Sequence, residues 1–164
     1  MPVNLELQHL IFKLTGNTGE ALHAVSPETG DTIYRVPMPE ARAAGAVFEN
    51  ILVVPGYLRD VYGYDVHTGK LLWTFKTVPG EGEFGHDTWD RVGEGANCWG
   101  GMALDKSRGI AYVSTGSPKP NFIGVNHLGQ NLFANCVIAI DARSGERLWH
   151  FQEIRHDIWD LDIP

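Results

Sequence analysis

Residues 137–152 read VIAIDARSGERLWHFQ. Val137 to Ile140 is an apolar run of strand length. Asp141 follows it with a side chain suited to accepting backbone amides inside a turn, and Gly145 offers the positive φ that such a turn needs. Glu146 to Gln152 then alternates polar and apolar residues, the period of a second strand. The stretch is therefore a β-hairpin, and Trp149 carries a large flat face that suits packing between stacked sheets. The same template (small residue, any residue, Asp, two residues, Thr or Ser, Gly, three residues, aromatic) recurs as GYDVHTGKLLW at 63–73. A degenerate copy, AVSPETGDTIY at 24–34, has Ser26 in place of the Asp and Tyr34 in place of the Trp.

Further strand–turn–strand units lie between these copies, GAVFENILVV at 45–54 and GMALDKSRGIAYV at 101–113. Two hairpins in succession make a four-stranded antiparallel unit, and units repeating along a chain are the signature of a propeller. The fold expected is all-β, a single domain over 1–164 forming a partial β-propeller of about three four-stranded blades. The expected spans are a partial blade over 5–38, blades over 44–77 and 98–152, and the first strand of another over 156–164. A set of about three blades leaves inter-blade faces that the rest of a ring or self-association must cover.

Composition agrees. The 164 residues include Gly 19 and Pro 9, which favours frequent turns over long helices. A formal net charge of -7 argues against nucleic acid or an anionic membrane as the main partner. Cys98 and Cys136 are too few for a disulfide framework or a Cys-based metal site and read as isolated thiols. The start, MPVNLELQHLIFKLTG, lacks the pattern of an export signal, so none is expected in the chain.

The stretches GYDVHTGKLLWTF (63–75), GEFGHDTWD (82–90), NCWGGMALD (97–105), RGIAYVSTGSPKPNF (108–122), NLFANCVIAIDARSGERLWHFQ (131–152) and RHDIWDLDIP (155–164) together resemble the PQQ-dependent quinoprotein dehydrogenases, most of all their glucose dehydrogenase-like branch. The resemblance is continuous from about Gly63 onward. It implies an eight-bladed propeller in the complete family, with pyrroloquinoline quinone (PQQ) near the axis and a Ca²⁺ beside it, a lanthanide in some members. It also implies oxidation of a sugar or alcohol by hydride transfer, electrons passing to a quinone or a cytochrome, and a periplasmic location.

Roles carry over residue by residue. Trp99 matches the tryptophan whose indole floors the planar quinone, although a Trp in a Gly-flanked strand is more often core packing. Asn97 falls where a polar side chain reaches the cofactor; an ordinary strand-end Asn reads equally well. Asp160 matches the catalytic aspartate, which takes the substrate hydroxyl proton and ligates the metal, tasks that suit an ionised carboxylate. Asp162 is a further candidate metal ligand, on the same side as Asp160 if the segment is a strand. Ser117 stands where the methanol dehydrogenase branch has a metal-binding Asn, and Asp60 is the nearest acid to a metal-binding Glu position that is otherwise empty. HDxWD occurs twice, at 86–90 and 156–160, so a connector role with Asp capping a turn and Trp packing competes with catalysis. Two other functions stand beside the enzyme: a non-catalytic PQQ-repeat propeller module that binds protein, and an inactive truncated product.

Overall fold

The computed structural model describes residues 11–15, 21–90 and 95–161. Strands β1 (Ile11–Thr15), β2 (Ala21–Val25) and β3 (Thr32–Pro37) form an antiparallel sheet in chain order. Strands β4 (Ala46–Phe48), β5 (Ile51–Pro55), β6 (Val61–Asp65) and β7 (Leu71–Phe75) form a second, four-stranded and again in chain order. After β8 (Gly95–Ala96), strands β9 (Met102–Asp105) and β10 (Ile110–Ser114) begin the third sheet. β11 (Pro118–Lys119) leaves it to pair with β8, and β12 (Cys136–Asp141) and β13 (Arg147–Gln152) complete the order β9-β10-β12-β13. Every pairing is antiparallel. This is a partial β-propeller, all-β as the repeats require.

The second sheet lies between two cores, which explains its unbroken apolar strand. In β5 every residue is buried. Ile51 and Val53 face the third sheet, joining Val61, Ala111, Val113, Ile138 and Ile140. Leu52 and Val54 face the first sheet, joining Leu22, Met38 and Val66. A strand covered on both faces loses the polar–apolar alternation and reads as a hydrophobic run. At the outer edge of the same sheet, β7 alternates exposed and half-buried residues.

The repeated hairpin turns are built alike. Asp65 Oδ1 accepts from the amides of His67 at 3.1 Å and Thr68 at 2.9 Å. Asp141 Oδ1 accepts from those of Arg143 at 2.7 Å and Ser144 at 3.1 Å. Asp105 does the same for Ser107 and Arg108 in the turn between β9 and β10.

The repeated offset to the aromatic has a tertiary purpose. Trp73 lies flat on Gly63, its partner across the β6–β7 pair, and a Cβ at Gly63 would fall 2.1 Å from its ring. Its other neighbour is the next sheet: the indole N–H donates to the Ala142 carbonyl at 3.2 Å, and Gly145 backs onto the ring. Tyr34 repeats the contact one sheet earlier, donating to the Val66 carbonyl at 2.8 Å and covering Gly69. Tyr34 in the first sheet and Trp73 in the second therefore each clip their sheet to the hairpin turn of the next.

The described residues depart from the expected spans at the end of the chain. Residues 156–161 run as a bent loop, not as the first strand of another blade. His156 (φ 54) and Asp160 (φ 53) are left-handed, which breaks the two-residue alternation that would have set Asp160 and Asp162 on one face. Asp162 itself lies outside the described residues.

Candidate cofactor site

Short β8 starts the site. Its pairing with β11, Ala96 opposite Pro118, ties the residues after each strand together. The Cys98 amide donates to Gly56 at 3.1 Å and the Gly116 amide to the Asn97 carbonyl at 2.8 Å. Gly116 has no room for a side chain: a Cβ would sit 2.7 Å from Asn97 Oδ1 and 3.0 Å from Trp99 Nε1. Both side chains are thus laid against the same stretch of bare backbone. Trp99 remains 42% exposed, and it faces a cavity of about 490 Å³ lined by Arg42, Tyr57, Asn97, Trp99, Ser117, Lys119, Asn121, Phe122 and Asp160. Three of the residues singled out from sequence, Asn97, Trp99 and Asp160, meet in this one cavity although more than 60 positions separate the first from the last.

Asp160 is held from two directions. Its Oδ2 accepts from Asn121 Nδ2 at 3.0 Å, and its backbone amide donates to Asp157 Oδ1 at 3.1 Å. Asp157, only 4% exposed, is the latch of this loop. Oδ1 also accepts from the Trp159 amide at 3.0 Å, while Oδ2 accepts from Ser117 Oγ at 2.7 Å, Asn135 Nδ2 at 3.3 Å and the Leu161 amide at 3.3 Å. Burial pushes the Asp157 carboxyl up, but the combined donation by Ser117, Trp159, Leu161 and Asn135 outweighs it, and the pKa ends below the usual carboxylate value. A folded-state pKa below the unfolded one gives stability that is present above pH ~4 and lost as pH falls through the folded value. Thermal unfolding followed from pH 5 down to pH 2 should accordingly show a shallower acid decline in Asp157→Asn than in the parent chain. Equal slopes would sink this account.

Ser117 lines the cavity, yet its hydroxyl hydrogen is given to Asp157, so its visible work is to hold the loop. Asp60 is not among the lining residues. Its Oδ1 accepts from the Thr77 amide at 2.9 Å and its own amide donates to Thr77 Oγ1 at 3.1 Å, which closes the turn before β6 onto the end of β7. The two HDxWD copies differ in structure. In the first, Trp89 is buried and donates to the Leu132 carbonyl, the connector role. In the second, Trp159 is exposed and the buried anchor is Asp157. Burial raises the pKa of both thiols, that of Cys136 to about 12, consistent with isolated, unreactive cysteines.

Sequence reasoning missed Arg42, Tyr57, Lys119 and Asn121. Arg42 falls in a stretch that reads as a linker, and Lys119 sits between two prolines. The fold stacks both cations on one ring: Arg42 Cζ lies 3.6 Å and Lys119 Nζ 5.3 Å from the Tyr57 centroid. Glu40 pairs with Arg42 at 2.8 Å from outside the cavity lining. In a chain of net charge -7, the lining thus carries two cations and one carboxylate, an arrangement that favours an anionic, flat ligand. Among the described residues no cluster of three His, Cys, Asp or Glu could hold a metal unaided. Asp160 and the amide oxygens of Asn97 and Asn121 line the cavity but would make only part of the oxygen shell that Ca²⁺ takes, so a metal there would need further ligands.

The cavity thus brings together a half-exposed tryptophan, two cations and a tethered carboxylate on propeller blades. Comparison with known proteins gives this arrangement a family. Residues 44–164 match the model of the PQQ glucose/ethanol/alcohol dehydrogenase β-propeller domain. The chain is 36% identical over 139 residues to quinoprotein glucose dehydrogenase A of Acinetobacter calcoaceticus, covering 73% of this chain and 16% of that protein. It is 34% identical over 117 residues to quinohemoprotein alcohol dehydrogenase ADH IIB of Pseudomonas putida, covering 62% and 17%. The crystal structure of the quinohemoprotein alcohol dehydrogenase of Comamonas testosteroni superposes with a TM-score of 0.80 at 25% identity, over 93% of this chain and 27% of that one. The chain belongs to the PQQ-dependent quinoprotein dehydrogenase family. It spans 16 to 19% of the length of the first relatives it matches.

Proposed function

We propose that this chain supplies one wall of a PQQ site, the part that floors the quinone and presents the catalytic carboxylate. The observation that carries the reading is the meeting of Trp99, Asn97 and Asp160 around a single cavity that Arg42 and Lys119 also line. Trp99 offers a flat face for stacking, Arg42 and Lys119 would take carboxylates of the cofactor, and Asn97 would hydrogen-bond its edge. Asp160, with Asn121 hydrogen-bonded to it and Asn97 lining the same cavity, would hold a Ca²⁺ together with ligands from the cofactor. Bound there, the cofactor would supply a two-electron acceptor, and the cation Lewis acidity toward it. Asp160, oriented by Asn121 and by the Asp157 latch, takes the hydroxyl proton of a sugar or alcohol in the assembled enzyme. The electrons leave to a quinone or a cytochrome, and the compartment is the periplasm, both inferred from the family.

The test is a titration of the chain with PQQ plus Ca²⁺, followed by tryptophan fluorescence. Saturable quenching at micromolar cofactor is expected, at least about tenfold weaker in Trp99→Ala and weakened in Asp160→Ala. Arg42→Ala should cost about threefold to tenfold, and the loss should shrink in high salt because the guanidinium is exposed. Quenching indifferent to all three substitutions would overturn the assignment and favour a non-catalytic repeat module.

A further inference from the structure

The two HDxWD copies, at 86–90 and 156–160, lie far apart in the chain, yet one segment touches both. Residues 121–132 cross from the first copy to the second.

At the first copy the segment is fastened largely through backbone groups. The Asn131 amide donates to the Thr88 carbonyl at 3.0 Å, and the Leu132 amide to Thr88 Oγ1 at 2.9 Å. The Asp90 amide donates to the Leu128 carbonyl at 3.3 Å. Gly129 lies so close that a Cβ on it would fall 2.1 Å from the Thr88 carbonyl oxygen. Buried polar pairs stiffen the middle. Asn131 Oδ1 stands 3.1 Å from His127 Nδ1, and Asn131 Nδ2 donates to the Leu128 carbonyl at 3.2 Å, with both side chains buried.

At the second copy the segment runs opposite in direction to the loop that ends in Asp160 and touches it at successive points. The Gly129 carbonyl and His156 Nδ1 are 3.0 Å apart. A Cβ at Gly124 would fall 2.2 Å from Ile158 Cγ2 and 2.9 Å from its Cα, so the segment lies against the loop's own backbone there. Asn121 Nδ2 then donates to Asp160 Oδ2 at 3.0 Å.

We infer that the first HDxWD copy positions the second: Thr88, Gly129 and Gly124 set, through residues 121–132, where Asp160 stands in the cavity. A strut held by hydrogen bonds at one end and by contacts without slack at the other cannot shift at one end alone. None of these positioning residues lines the cavity, so they act through Asn121 and the 156–160 loop. The inference rests on Asp160 as the carboxylate of the proposed site, whereas the contacts that carry it need no cofactor.

A nitrogen–proton correlation spectrum of the ligand-free chain tests it through the side-chain amide of Asn121, which reports the bond to Asp160. Asp160→Ala marks where that resonance lies when the bond is absent. Thr88→Val keeps the shape of the side chain and removes the acceptor of the Leu132 amide, and it should move the resonance toward that mark. Gly124→Ala should move it further. Adding Ile158→Ala, which takes away the atom nearest the new methyl group, should bring it part of the way back. Gly30→Ala is strained by a φ of 78 but meets nothing within 4 Å, and it should leave the resonance unmoved. With PQQ and Ca²⁺ present, Thr88→Val and Gly124→Ala should each weaken quenching by about threefold to tenfold. A resonance unmoved by both Thr88→Val and Gly124→Ala, or moved as far by Gly30→Ala, would overturn the inference. A parent chain without quenching would instead overturn the cofactor site, and the ligand-free spectra would still decide the strut.

Discussion

Asp157→Ala should destabilise the chain by about 3 kcal/mol and weaken PQQ quenching even though Asp157 is not among the residues lining the cavity. The carboxylate is buried and accepts five hydrogen bonds, from Ser117, Asn135, Trp159, Asp160 and Leu161. Alanine strands those donors. The Ser117 hydroxyl and Asn135 amide lose a charged acceptor in a buried place, and the amides of residues 159–161 lose what bends them into a loop. Asp160 then loses its backbone tether and keeps the contact with Asn121. Asp157→Asn preserves shape and one acceptor oxygen, so it should fall between the parent and alanine in urea denaturation. An Asp157→Ala chain with the parent's stability and quenching would remove the latch from the account.

Gly63→Val should cost about 3 kcal/mol or more, because a Cβ there would enter the Trp73 ring 2.1 Å from its nearest atom. The indole cannot retreat without giving up its donation to Ala142 and its cover over Gly145, so the damage passes from the second sheet to the third. Trp73→Ala should cost a similar amount by leaving the space between the sheets unfilled. Both substitutions break one contact, so the double variant should lose clearly less than the sum, a coupling of roughly 1 kcal/mol or more in a double-mutant cycle. Additive losses in chemical denaturation would show that Gly63 and Trp73 act separately.

Part of the cavity lining was legible in the chain because Asn97, Trp99 and Asp160 fall in motifs with fixed offsets. Asn97 and Trp99 were found together since NCWGGM places them two residues apart beside a Gly-rich turn, and the fold lays both on Gly116. Asp160 was found from HDIWDLDIP, but the same motif hid the role of Asp157. Two copies of HDxWD look alike as strings and differ in what they bury, Trp89 in one and Asp157 in the other. Arg42 and Lys119 were illegible for a plainer reason. Each is an isolated cation in a Pro- or Ala-rich stretch, and nothing short of the fold brings both onto Tyr57.

The sequence by itself determined the hairpins, their turn chemistry and the propeller class. Strand period, turn carboxylates and the aromatic offset are local properties that act within about ten residues. The tertiary structure alone decided which face of Trp73 meets which turn, why β5 is apolar throughout, and where the charges of the cavity lie. Those depend on contacts between sheets, such as Trp73 with Ala142 or Ser117 with Asp157, whose partners lie 69 and 40 residues apart. Packing and buried hydrogen bonding, not local periodicity, select such pairs.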